Sequence, residues 1–296
     1  MNGVIIIDKP AGVTSAEVVR RVKRLVKPAR VGHLGTLDPF ATGVLPILIG
    51  EATKLAPFME GGEKRYEGTI RLGSETDTLD RDGSVVRTAP LPSLTTDRLA
   101  ALEREFTGRI SQTPPVFSAI KRAGVPLYRL ARNGIDVEPP QPREIEISSL
   151  RLELASLDAL RFTLACSAGT YVRALARDIG NALGSAAHLE QLRRTRSGGF
   201  SIEDALPLDR LLAAMETKEP AGFRLIALAE VVPALPGIQV DPELERRLRH
   251  GDSSALDLLA PAAAELFKVV NNRGQLVAVA RATSRATSII ERVFNE

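Results

Sequence analysis

The chain has no tryptophan and, in 296 residues, only one cysteine, three histidines and three tyrosines. One thiol, Cys166, can form neither an internal disulfide nor a multi-thiolate metal site. His33, His188 and His250 are far apart in sequence and do not read as a ligand cluster. A reducing, cytoplasmic setting and chemistry without metal or cofactor are the expectation. Apolar runs such as residues 4–7 fall far short of the roughly 20 residues that cross a bilayer, so no membrane span is expected. The first residues carry no basic segment, and Asp8 interrupts the apolar run behind them, so no secretory leader is expected.

Net charge is also scarce. Thirty-nine Lys and Arg against 36 Asp and Glu leave +3, and 44% hydrophobic content suits one large or two medium domains. The cations are clustered. Residues 17–30 hold Arg20, Arg21, Lys23, Arg24, Lys27 and Arg30 against one acid, residues 121–132 hold four bases and no acid, and residues 191–200 hold Arg193, Arg194 and Arg196. Clustered cations in a chain otherwise net acidic suit a polyanionic partner, most simply nucleic acid. The solvated faces of helices would look the same, and charge alone does not separate the two readings.

Periodicity predicts a buried strand over 4–7. A helix should follow, opened by Thr14 and Glu17, with Val18, Val22, Leu25 and Val26 on one face, and ended by Pro28. Strands are expected over 44–49 and 66–72, a helix over 95–106 stopped by Gly108, a hairpin from 145–155 and 160–167, and a helix over 172–183. These elements interleave without a βαβ repeat, which predicts an α+β fold. Residues 217–222, with Pro233, Pro236 and Gly237 close behind, read as a linker. Beyond it, strands over 267–270 and 276–280 flank Asn271, Asn272 and Gly274, a hairpin signature. The expected division is residues 1–235 and 236–296.

The most unusual segment is Gly32-His33-Leu34-Gly35-Thr36-Leu37-Asp38-Pro39-Phe40-Ala41-Thr42-Gly43-Val44-Leu45-Pro46. Three glycines outside the strand and its prolines imply a loop of specialised geometry, with Asp38 held extended by Pro39. Locally, Asp38 reads as a turn former or as a rigidly presented acid. A phosphate loop is disfavoured because no Gly-Lys-Ser/Thr follows. Asp77, Asp80 and Asp82 before Gly83 fail the register of a calcium loop and read as an acidic turn. Cys166 reads as a buried, inert thiol.

The string from Gly32 to Pro46, followed by Gly50-Glu51-Ala52-Thr53-Lys54, closely resembles the catalytic motif of the TruB family of tRNA pseudouridine-55 synthases. Asp8-Lys9-Pro10, Lys64-Arg65-Tyr66, the segment from Gln112 to Lys121, Gly169-Thr170-Tyr171-x-Arg173 and Leu192-Arg193-Arg194-Thr195 resemble its other motifs, in the same order. The resemblance implies the pseudouridine synthase fold, a mixed, mainly antiparallel sheet with flanking helices, followed by a small PUA-like β-barrel. It also implies cofactor-free isomerisation of uridine in the T-loop of tRNA, with Asp38 as the essential catalytic group, Arg173 pairing with it, and Tyr66 stacking on the flipped base. His33 would fill the space the base leaves, Tyr171 and Leu192 would line the pocket, and Lys9 would hold phosphate. The C-terminal module would grip the acceptor arm, and a monomer without an obligate protein partner is implied. A noncatalytic RNA-binding or tRNA-folding protein is disfavoured because Asp38, Tyr66 and Arg173 are all present. A guide-RNA relative is disfavoured because long basic tails are lacking.

Overall fold

The computed structural model describes residues 1–59, 61–135, 137–217, 224–259, 265–283 and 288–295. The expected linker at 217–222 lies, after Thr217, outside the described residues. A ten-stranded sheet runs in the order Leu206–Pro207, Gly3–Lys9, Thr42–Ile49, Ala187–Ser197, Lys64–Leu72, Ala159–Cys166, Arg143–Ser156 and Gly108–Gln112. Val31–His33 and Phe200–Ser201 pair to the side of this path. All pairings in it are antiparallel except two short parallel ones, at the Leu206–Pro207 edge and where Arg193 and Arg194 meet Thr42 and Gly43. The mainly antiparallel α+β fold is the one expected. The second parallel contact is where the two halves of the sheet join, and the loop bearing Asp38 enters the sheet there.

Strand periodicity explains why the strands at this junction are buried. Gly3–Lys9 and Thr42–Ile49 are apolar on both faces because both are covered. Ile5, Ile7, Leu45, Ile47 and Ile49 pack with Val18 and Val22 of helix Ser15–Leu25 and with Leu175 and Ile179 of helix Val172–Ala182. The alternate residues Val4, Ile6, Val44 and Leu48 pack with Leu228, Val231 and Val232 on the other side. Thr14 caps its helix, its hydroxyl accepting from the Glu17 amide. That helix closes at Leu25 with Val26 as its C-cap, ahead of Pro28. Helix Thr96–Glu105 likewise closes at Phe106, and Gly108, at φ +99°, opens the next strand instead of stopping the helix.

The C-terminal strands Gly237–Gln239, Leu266–Val270, Leu276–Ala282 and Ser288–Val293 lie in sequence order. The predicted hairpin is present. Among the described residues these strands make a four-stranded sheet. The segment packs against the main sheet. Leu276, Val279 and Phe294 are buried in the same cluster as Val4, Ile6 and Val44, and Lys54 Nζ donates to Val293 O at 3.0 Å.

Candidate active site

Residues 34–41 are pinned wherever they are not needed for chemistry. Leu37, Phe40 and Ala41 are buried anchors around Asp38. The buried Ser15 hydroxyl accepts from Leu37 N at 2.9 Å and donates to Leu37 O at 3.1 Å. Gly12 N donates to Pro39 O at 2.8 Å. Between these anchors the Asp38 side chain is 34% exposed. Gly43 closes the loop at φ +102°, and a Cβ there would stand 2.2 Å from Arg194 O. Only glycine permits this approach of loop to strand.

Arg173, in the first turn of its helix and 6% exposed, supplies the opposing charge. Its Nε donates to Asp38 Oδ2 at 2.9 Å and its Nη2 to Asp38 Oδ1 at 3.1 Å, a two-point fork that sets the plane of the carboxylate. The remaining donors reach Thr78 O at 2.8 Å and Phe117 O at 3.0 Å, and Asp80 Oδ2 lies 3.6 Å from Nη1. One guanidinium thus ties together four segments that are remote in sequence. Gln112, fully buried, positions the start of that helix. Its Nε2 donates to Tyr171 O at 3.1 Å while its Oε1 accepts from Tyr171 N at 2.9 Å.

Tyr66 is buried, and burial pushes its phenol up to about 12, partly offset by the neighbouring Arg194 guanidinium. Leu192 is buried in the same cluster as Tyr66, Leu37 and Phe40. Burial, and then Arg194, pull His33 below the usual histidine range, so its ring is neutral near pH 7. The Tyr171 ring is engaged by the Arg143 guanidinium, 4.7 Å from its centroid. Burial raises the Cys166 thiol to about 11, consistent with an inert group.

Lys9 is a correction. It is 0% exposed, and its Nζ donates to Pro10 O, Val13 O and Pro39 O at 2.8, 2.7 and 3.1 Å. An ammonium has three protons, and three backbone carbonyls take them. It stitches residues 10–13 to the loop of Asp38 and does not reach phosphate. Burial holds it down to about 8.

Three further residues belong to the site. Asp80, read from sequence as part of an acidic turn, is 8% exposed and faces Arg173, and burial raises its carboxyl above the usual range. Acid spacing carried no signal for this, because Asp80 arrives through pairing of the Leu79 and Arg81 backbones with Leu189. Gln112 had no signal beyond its place in a motif. Arg194 had one: it shares strand parity with the buried Leu192.

Residues 23–172 match the family described as TruB family pseudouridylate synthase (N terminal domain), and residues 173–233 match the tRNA pseudouridylate synthase B C-terminal domain. Helix Val172–Ala182 spans their junction, and the Asp38–Arg173 pair bridges it. The tRNA pseudouridine synthase B of Geobacter sulfurreducens is 45% identical over 251 residues, 85% of this chain and 82% of that one. That of Burkholderia mallei is 42% identical over 287 residues, 96% of this chain and 94% of that one. A crystal structure of a Cbf5–Nop10–Gar1 complex contains a chain of similar fold, with TM-score 0.73 and 27% identity over 99% of this chain and 85% of that one. With both matched segments, near-full-length relatives and one shared fold in agreement, the chain belongs to the TruB family of pseudouridylate synthases, isomerases that convert uridine to pseudouridine.

Proposed function

We propose that this chain isomerises uridine 55 in the T-loop of tRNA, with Asp38 as the essential catalytic group. The observation that carries this reading is the partly exposed Asp38 carboxylate held at two points by a buried guanidinium. Breaking an N-glycosidic bond builds positive charge on the ribose, and a fixed carboxylate beside the anomeric carbon stabilises that charge. Both an aspartyl–sugar adduct and removal of a sugar proton to a glycal are compatible with an acid so placed. The uracil then turns and carbon-5 bonds to carbon-1′, discharging the aspartyl–sugar bond or the glycal double bond, which regains its proton. Carbon-5 then gives up its proton and N1 gains one, so that atoms balance. In this reading Tyr66 meets the flipped base with its apolar face and Tyr171 and Leu192 line the pocket. A neutral His33 fills the vacated stack, since a ring without charge is easily inserted among bases.

The enzyme acts in the cytoplasm as a monomer without metal, cofactor or obligate protein partner. Residues 1–235 do the chemistry, and residues 236–296 grip the acceptor arm. Support for tRNA comes from the higher identity of the tRNA-named relatives, 45% and 42% against 27% for the Cbf5-complex chain. The deciding experiment incubates the pure chain with unmodified tRNA, without added metal or nucleotide, and maps pseudouridine. A single new site at position 55 is expected. No product, or product elsewhere, ends the proposal.

The exposed bases Arg20, Lys23, Arg24, Lys27 and Arg30 would hold phosphates, positioning RNA without reading its bases. Neutralising Arg20, Arg21 and Arg24 together should flatten the salt dependence of RNA binding, each lost contact reducing the slope by about 1. The rate at saturating RNA should change little. Lys9→Met should leave the salt slope unchanged and lower the melting midpoint, because three carbonyls lose their donor. Salt titrations of binding, with melting curves alongside, check both. A flattened slope for the Lys9 variant would restore it to the phosphate contacts.

A further inference from the structure

Among the described residues Arg194 is the largest side chain that is completely buried, and no carboxylate pairs with it. An uncompensated buried guanidinium is costly, and burial pulls it below the ordinary arginine range. Its donors show what it holds. Nε donates to Val44 O at 2.8 Å, Nη2 to Gly35 O at 2.8 Å and Nη1 to Thr36 O at 3.4 Å. Those carbonyls stand at the two ends of the loop whose apex is Asp38. The loop also closes against the Arg194 backbone at Gly43, where no Cβ fits. Tyr66 is the direct cross-strand partner of Arg194, so the two side chains stand side by side on one face of the sheet.

We propose that Arg194 is a positioning residue of the isomerisation: one buried guanidinium sets the span of the Asp38 loop and the hydroxyl orientation of Tyr66, registering the acid and the base-facing phenol to each other. Arginine has no acceptor, so in their contact the phenol oxygen must accept. The phenol proton therefore points away from Arg194. The other charge bearing on the phenol is Asp38. The planar fork is essential to this arrangement, because a lysine ammonium cannot span both loop ends and the phenol at once. The idea rests on the uridine-isomerase reading above, and its test separates the two.

The test compares the parent, Arg194→Lys, Tyr66→Phe and the double variant in single-turnover reactions on tRNA, with RNA affinity and melting curves measured alongside. Arg194→Lys should lose about 100-fold or more in rate, with RNA affinity within a few-fold. The double variant should be at most a few-fold slower than the slower single variant, because both changes break one contact. A Lys variant within a few-fold of the parent, or losses that multiply, would overturn the proposal and leave Arg194 a structural staple. If Arg194→Lys has no cooperative melting transition, Arg194→Gln, which keeps a donor in a neutral side chain, takes its place in the cycle. A second readout needs no turnover. With no tryptophan and only two other tyrosines, Tyr128→Phe and Tyr171→Phe together leave Tyr66 as the sole phenol. Its Raman doublet, which distinguishes accepting from donating phenols, should report an acceptor that is lost in Arg194→Lys. An unchanged doublet refutes the contact even if the parent proves inactive on tRNA, a result that would count against the function and not against this inference.

Discussion

Asp38→Asn is expected to abolish useful turnover, a loss of about 10³-fold or more, while RNA affinity stays within a few-fold. The amide has the same shape, so the anchors at Leu37, Phe40 and Ala41 and the Ser15 contacts to the loop remain. The charge is lost, and half of the fork becomes a clash of donors, since an amide presents an NH₂ where Arg173 also presents N–H. A group that acts on charge developing at the sugar lowers the barrier and contributes little to ground-state binding. Single-turnover rates on a T-arm stem-loop, with binding measured in parallel, check this. Near-parental turnover would remove Asp38 from the chemistry, and a parallel collapse in binding would make it a structural residue.

Arg173→Lys is expected to cost roughly 10²-fold in rate and, unlike Asp38→Asn, to lower stability substantially. The guanidinium holds Asp38 at two points, two carbonyls and the buried Asp80, and one ammonium cannot reproduce that set. Breaking such a buried pair costs about 3–5 kcal/mol, which in a chain this long corresponds to a melting midpoint lower by roughly 10 °C. The deficit should shrink on acidification. Asp80 already has its carboxyl raised by burial in the folded protein, so between its ordinary and its raised value the folded state binds more protons than the unfolded one. Stability contributed by that proton is present below the window and lost as pH rises through it. With the guanidinium gone, the window extends upward, so the gap between variant and parent is widest near neutrality. Melting curves across the acid range decide it, and a gap independent of pH would show that Asp80 is not the group left unpaired.

Local chemistry made much of this molecule legible. Continuous apolar runs in residues 4–7 and 44–49 marked strands covered on both faces, Thr14 marked a helix start, and Asn271 to Gly274 marked a hairpin. Each depends on residues within a few positions of one another. Lys9 shows where that reasoning stops. A lysine next to a proline-rich turn looks like a surface cation, and only the return of Pro39 alongside Val13 encloses it. The packing of the C-terminal strands was hidden for the same reason, since Leu276 and Phe294 are buried against strands some 230 or more residues earlier.

The sequence by itself determined the loop that presents Asp38, through its glycines and prolines, the alternation of the strands beneath it, and the family through motifs in fixed order. Only the tertiary structure decided which charges meet. It set Arg173 between Asp38 and Asp80, buried Arg194 under the loop, and turned Gln112 onto Tyr171. The physical reason is one of range. Backbone conformation is governed by neighbours in the chain, whereas a buried charge takes its meaning from partners that chain folding alone brings within hydrogen-bond distance.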